Sequence, residues 1–553
     1  MTINRRCFEY RLIAWIWAFT GLLLVVLVFF FPHIRFAAKA SFLSPFILAP
    51  LALVFLSLLY MLIKDRTIHK GVPLALGLLF LVFQIRCVKS YYFITGWDSI
   101  NLLDSALRSV AGQRDPYYES YFSWYPNNIL LAVLYREIAS FVHSLGKSQN
   151  AALEAILYVQ CGLSFVTGLA VFKLTEKLTR QRSAALWGYL VYLLLIGLSP
   201  WVAIPYSDSA ALPVPALLLC LYVSEPQRRS FKIIKWAAIG VLSAFGYCLK
   251  PTAAIPAIAI GLLELCRFFE TRDCKALAKK AGLLALGVLC AGLLIGKLTD
   301  SFEYKIDPEQ RIGLVHFFAM GLNEKQMGVW DKEDADYAKS FHTAAERDAA
   351  EWQRARERLE SMGLKGLLLQ GVRKLLTSFH DGTFAWTREG GFFAYVFENE
   401  SRTATISRSF YYPDGERCVI FKNCMQAIWL SVLLLSTGAF FARGRAAAAV
   451  KLTLLGLVLY LLLFEVRARY VYIFAPLFIA LAACGEQALF RWIQSIYSDK
   501  RGCEKIPLHQ EHSNIDKGPT PSAARAVQTY NKADNPRQKR IVLRIRRGSM
   551  HIL

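Results

Sequence analysis

Apolar runs separated by short, mostly basic loops set the rhythm of this chain. Runs at about 12–31, 43–63, 72–94, 151–172, 184–199, 210–223, 233–249, 251–266, 281–298, 419–442, 450–465 and 471–489 reach or approach the length of a membrane crossing, which is roughly 20 residues for a hydrocarbon core of about 30 Å. Backbone N–H and C=O groups find no water inside a bilayer, so each run reads as a helix closed on its own hydrogen bonds. The pattern predicts an all-α polytopic membrane protein of about twelve transmembrane helices, with interfacial helices and one large external loop.

The charges between the runs orient them. The first run follows Arg5, Arg6 and Arg11 and lacks a small-residue cleavage site, so it reads as a retained helix with its N-terminus inside. The loops KDRTIHK (64–70), KLTEKLTRQR (173–182), SEPQRRSFKIIK (224–235), CRFFETRDCKALAKK (266–280) and ARGRAAAAVK (442–451) are basic and read as cytoplasmic. Parity then requires residues 98 and 150 to share the outer side. The apolar stretch NNILLAVLYREIASFVHSL (127–145) therefore lies in the interface plane, as its central Arg136–Glu137 pair favours. The expected units are N-terminal transmembrane helices (1–94), a first external loop with its interfacial helix (95–150), a transmembrane core (151–298), a large external loop (299–418), C-terminal transmembrane helices (419–490) and a basic, disordered cytoplasmic tail (491–553).

Composition agrees with this picture. Hydrophobic residues make up 55% of the 553 positions and mean hydropathy is +0.35, which excludes an ordinary soluble fold. A net charge of +23, from 64 Lys and Arg against 41 Asp and Glu, would suggest nucleic acid in a soluble protein. Here the cations gather in loops and tail, no basic face with interleaved aromatics occurs outside the tail, and no nucleic-acid partner is expected; membrane lipids are. The twelve cysteines include no C-x-x-C pair, and Cys161, Cys220, Cys248 and Cys290 sit inside apolar runs as small core residues. Cys418 and Cys424 are near enough in sequence to bridge, although unpaired packing is the simpler reading.

Candidate chemistry collects at the outer rim. Asp98 in TGWDS, with Asn101 and Asp104 behind it, follows the third run, and DPYYESYFSWYPNN (115–128) comes next. SPWVAIPYSD (199–208), GYCLKPT (246–252) and EVRARYVY (465–472) join later pairs of runs on the same side. Asp98 reads either as a solvated helix cap or as a general base. Asp208 stands beside the aromatic Trp201 and Tyr206, an arrangement suited to a sugar. Lys250 either snorkels to the interface or meets a phosphate. Arg467 and Arg469 break the positive-inside trend, which an anionic ligand would explain. In the 299–418 loop, the mixed-charge middle reads as a solvated helix, while binding character belongs to its ends, HFFAMGLNEKQMG (316–328) and SFHDGTFAWTREGGFF (378–393). His316 and His380 lie there as structural hydrogen-bonders or as phosphate contacts, and neither has metal-ligand spacing.

Taken in order, the external acid, YPNN, PYSD, LKPT and EVRARYVYIFAPLF resemble the GT-C superfamily of integral-membrane glycosyltransferases over roughly residues 70–490, and more narrowly Gram-positive members near the dolichyl-phosphate-mannose mannosyltransferase-like group. The resemblance implies transfer of a monosaccharide from a polyprenyl-phosphate donor to an extracytoplasmic glycan, glycolipid or protein acceptor, usually with inversion. It implies Asp98 as the base, Lys250, Arg467, Arg469 and His316 on the donor phosphate, and Asp104, Tyr125, Asn127, Asn128, Trp201, Tyr206, Asp208, His380 and Asp381 on acceptor or sugar. Ser99 stands where a second acid is frequent, so a divalent cation (Mg or Mn) is left open and no other cofactor is implied. Neither a phosphate-cradling GxxxxGK[ST] loop nor a dinucleotide-binding GxGxxG is present. A transporter or flippase of a lipid-linked glycan, or an oligosaccharide ligase, shares the spans and the cations. A transporter, however, tends to carry mid-membrane charges and internal repeats.

Overall fold

The computed structural model describes residues 2–31, 42–388 and 392–503. Among them, ten helices are long and apolar enough to cross a membrane: Glu9–Phe30, Pro45–Ile63, Val72–Tyr91, Gln149–Thr179, Ser230–Leu249, Pro251–Thr271, Cys274–Thr299, Cys418–Phe441, Arg445–Leu463 and Ala468–Ile496. These match ten of the expected runs. The remaining two fold as shorter apolar helices, Arg182–Gly197 and Ser207–Val223. Proline accounts for their shortness. The first closes in a π turn at Leu193–Gly197 just before Pro200, and the second is broken between Ala210 and Val214, where Pro213 and Pro215 supply no amide to continue it.

Burial sorts the bundle. The apolar stretch of Ala468–Ile496 is 83% buried and forms its axis, whereas that of Cys274–Thr299 is 11% buried and lies at the periphery. Large apolar side chains such as Phe19, Leu51, Leu62, Leu79 and Leu293 remain exposed on the outer helices, a surface that lipid solvates and water does not. Small residues permit the closest helix contacts. A Cβ on Gly240 would meet the Leu284 carbonyl at 2.1 Å, and one on Gly287 would meet the Ala237 carbonyl at 2.1 Å, so Arg229–Leu249 and Cys274–Thr299 pack backbone to backbone.

The two long segments expected to be external fold against each other. Phe93–Ile94 pairs antiparallel with Tyr395–Val396, with Phe93 opposite Val396 and Ile94 opposite Tyr395, so residues 95–150 and 299–418 stand on the same side. The first carries helices Trp97–Val110, Pro116–Trp124 and Ile129–Ser144. Arg136, in the middle of the last, donates to the Ser301 carbonyl at 2.6 Å and its hydroxyl at 2.5 Å. The middle of this helix is therefore level with the end of the Cys274–Thr299 span.

Two expectations need correction. The middle of 299–418 is no simple solvated helix: Arg347 is fully buried, donating to the Ala338, Glu309, Arg311 and Phe341 carbonyls with its guanidinium 4.8 Å from the Trp124 ring centroid. Buried Asp334 binds Arg354 at 2.8 Å and Arg358 at 2.5 Å. Helix Ala344–Phe379 also changes direction at Gly363, whose φ of 55° favours glycine. In the expected disordered tail, residues 491–503 continue the helix Ala475–Cys503, and 504–553 lie outside the described residues. The unpaired reading of Cys418 and Cys424 holds, since both are free.

Replacing Gly287 by Val is expected to force the helix pair apart at a cost of about 1–3 kcal/mol. Thermal unfolding in detergent measures it, and an unchanged melting temperature would contradict the close contact.

Candidate functional site

The rim turns of the sequence meet in one cluster. Trp97 opens its helix with φ +42°, a left-handed conformation costly for a bulky residue and sustained only by surrounding contacts. This turn aims two neighbours inward. The indole packs edge-on to Tyr206 with centroids 5.0 Å apart, while Asp98, in the first helical turn, accepts from the Tyr121 hydroxyl at 3.0 Å and the Tyr206 hydroxyl at 3.1 Å. Burial, and next the Asp98 carboxylate, push both phenols up, so they remain donors. Asn128 in turn donates to the Tyr121 hydroxyl at 2.8 Å and receives a bond from Asn127 at 3.2 Å. Ser99 ties the same helix to the Pro205 carbonyl at 3.0 Å.

Beside this lies an ion cluster drawn from three inter-helix turns. Asp208 is 1% exposed and binds Lys250 Nζ at 2.9 Å and Arg469 Nη1 at 2.7 Å. The Arg469 guanidinium also lies 5.1, 5.2 and 5.2 Å from the ring centroids of Trp97, Tyr206 and Tyr470, and Lys250 lies 4.7 Å from that of Tyr470. Tyr470 donates to Glu465 at 3.0 Å, and Glu465 also accepts from Arg467 at 3.4 Å. Tyr206 is thus shared between the Asp98 carboxylate and the Arg469 cation, and Trp97 packs against both Tyr206 and Arg469. The Trp97 indole N–H is buried with no hydrogen-bond partner among the described residues.

A family whose description reads conserved hypothetical integral membrane protein matches residues 40–488. The chain belongs to this family. No curated protein and no solved structure matches it. The family match spans residues 95–150, residues 299–418 and every residue of the cluster, and its description carries membrane residence without chemistry. This is a multi-pass integral membrane protein, and its site must be judged by geometry.

That geometry sorts the expected residues. Asp98, Asn127, Asn128, Tyr206, Asp208, Lys250, Arg467 and Arg469 come together, with Tyr125 packed on Tyr121 at a centroid separation of 5.5 Å. Others are engaged elsewhere. Asp208 has both its oxygens turned to cations. Trp201 is fully buried with its N–H given to the Thr383 carbonyl at 3.0 Å. His380 is 3% exposed and stacks on Phe42. Asp381 caps the following turn through the Thr383 and Ala385 amides and binds Arg388 at 3.1 Å. His316, 3% exposed, is held by Glu351 at 2.9 Å. Asp104 binds Tyr118 and Arg108 away from Asp98. Among the described residues no group of three or more His, Cys, Asp or Glu is placed to hold a metal.

Lys374 escaped the sequence reading, although a Lys within LLLQGVRKLL was a signal. It is 1% exposed, donates to the Leu462 carbonyl at 2.9 Å and faces Glu465 electrostatically. Burial lowers its ammonium to about 7 despite Glu465. The cations at 467 and 469, which looked like the mark of a ligand, already have protein carboxylates at 465 and 208.

Two outcomes follow. Asp208→Ala strands buried Lys250 and Arg469, a loss of about 3–5 kcal/mol; thermal unfolding should show it, and adding Lys250→Met should recover part. Lys374 binds its proton less tightly when folded (about 7 against 10.5). Between those values the unfolded chain therefore holds more protons, and stability rises with pH. Lys374→Met is expected to flatten that rise in pH-dependent melting; an unaltered slope would exclude Lys374 as its source.

Proposed function

We propose that this protein is a GT-C-type glycosyltransferase with twelve crossings, moving a monosaccharide from a polyprenyl-phosphate donor to an extracytoplasmic acceptor. The observation that carries the reading is the pairing of Asp98 and Arg469 across one aromatic wall, Tyr206 and Trp97. An acceptor hydroxyl and a donor phosphate need such groups side by side. Asp98 remains partly exposed, and its two phenol bonds leave further lone pairs for an acceptor hydroxyl.

In this reading the acceptor oxygen attacks the anomeric carbon while Asp98 takes its proton. The bond from that carbon to the phosphate oxygen breaks, and its electron pair leaves with the polyprenyl phosphate. Two cations against one carboxylate leave the Lys250–Asp208–Arg469 cluster with one net positive charge toward the departing phosphate. Tyr125, half-buried, lies near Asp98, and exposed Asn127 is linked to it through Asn128 and Tyr121, so these side chains would border an acceptor. Because a lipid phosphate is already a leaving group, no nucleotide is needed.

The test incubates purified protein with polyprenyl-phosphate monosaccharides. Asp98→Asn should lower kcat at least about 100-fold with the donor KM little changed, whereas Arg469→Gln should raise the donor KM. Turnover unaffected by Asp98→Asn would remove it as the base. Absence of turnover with any donor, alongside flipping of a lipid-linked glycan, would replace the enzyme by a transporter.

A further inference from the structure

A second polar site lies at the other end of the bundle. Asp98 and Lys64 flank opposite ends of Val72–Tyr91, a helix of 20 residues and so about 30 Å long. On the Lys64 side, the ends of Pro45–Ile63, Gln149–Thr179, Cys418–Phe441 and Ala468–Ile496 frame a cavity of about 580 Å³, within the roughly 300–1,000 Å³ usual for ligand sites. Its lining includes Lys64, Arg180, Arg443 and Arg491 against the one carboxylate of Asp65, a balance of three positive charges.

The floor of this cavity is built. Gln487 donates to the Gln181 side-chain oxygen at 2.7 Å, Gln181 donates to the Lys64 carbonyl at 3.3 Å, and Ser183 donates to the same carbonyl at 2.9 Å. Three segments remote in sequence are thereby fixed beneath the cations. Arg180 adopts φ +57°, a left-handed turn that bulky residues rarely take, and this turn brings it to the rim. Basic residues that merely keep a loop on one side of a membrane need neither a concavity nor a hydrogen-bonded floor. Phe441, 67% exposed, stands at the mouth as aromatic residues do at headgroup level.

We infer that this cavity is a binding site for a phosphate-bearing anion, supplied by an anionic phospholipid headgroup or by a soluble phosphate. Guanidinium groups match phosphate oxygens bidentately, and a cluster of them between helix ends can strip a headgroup from the bilayer surface. The inference is independent of the chemistry at Asp98.

Full-length protein is tested with two probes: phosphatidylglycerol against phosphatidylcholine in nanodiscs, read by native mass spectrometry, and inorganic pyrophosphate in detergent, read by melting temperature. The variant Arg180→Glu/Arg443→Glu changes exposed side chains; Arg180→Gln/Arg443→Gln is a milder second version, and Lys275→Glu/Lys279→Glu is a control on an exposed basic segment outside the cavity. Phosphatidylglycerol affinity falling at least about tenfold in the cavity variants alone supports a lipid source. Pyrophosphate stabilisation lost in those variants alone supports a soluble one. Equal weakening in the control, or no binding of either probe to the wild type, overturns the site.

Discussion

A carboxylate buried to 1% exposure between two cations holds one end of the bundle together. Asp208, Lys250 and Arg469 come from three separate turns, and none of them is tolerable there without the others, because an unpaired charge at such depth costs several kcal/mol. The cluster therefore dictates how Ser207–Val223, the turn before Pro251–Thr271 and the start of Ala468–Ile496 register against one another. Since Ala468–Ile496 is the most buried span, that register extends along the axis of the bundle.

What the cluster positions matters more than its own stability. Arg469 carries a face of aromatic rings, and through Tyr206 this wall continues to Asp98. The strained Trp97 backbone is affordable only because its indole is held in that wall. A second chain, Glu465 with Tyr470 and Arg467, backs the first, and Lys374 joins it from helix Ala344–Phe379. The 299–418 segment is thus coupled to the rim by charge as well as by the short strand pair. At the opposite face the cations stand around a cavity with a single acidic neighbour, so the two ends of the bundle are electrostatically different in kind.

Much of this was legible in the chain. Hydropathy located ten long spans because a bilayer imposes a length that a local window detects. Charge parity placed 98, 208, 250 and 469 on one side, and their contacts agree. Two segments fell short of a full span where prolines interrupt the helix, an effect that hydropathy alone does not weigh. Partnership was not legible. Asp208 and Arg469 are 261 positions apart, and no local signal tells a carboxylate that binds sugar from one that neutralises two cations. His316 and Asp381 had the right neighbours for chemistry, yet Glu351 and the turn at 383–385 engage them. The folded core around Arg347 was hidden for the same reason: its partners are carbonyls, which sequence does not distinguish.

In the proposed reaction everything depends on where a lipid-linked sugar phosphate sits. The most direct measurement is an experimental structure of the protein with a non-transferable polyprenyl-phosphonate monosaccharide bound. The phosphonate is expected against the Arg469 guanidinium, with the anomeric carbon turned toward the Asp98 carboxylate between Tyr206 and Tyr121. A headgroup seated away from Arg469, with Asp98 too distant to reach any hydroxyl attacking that carbon, would contradict that reaction.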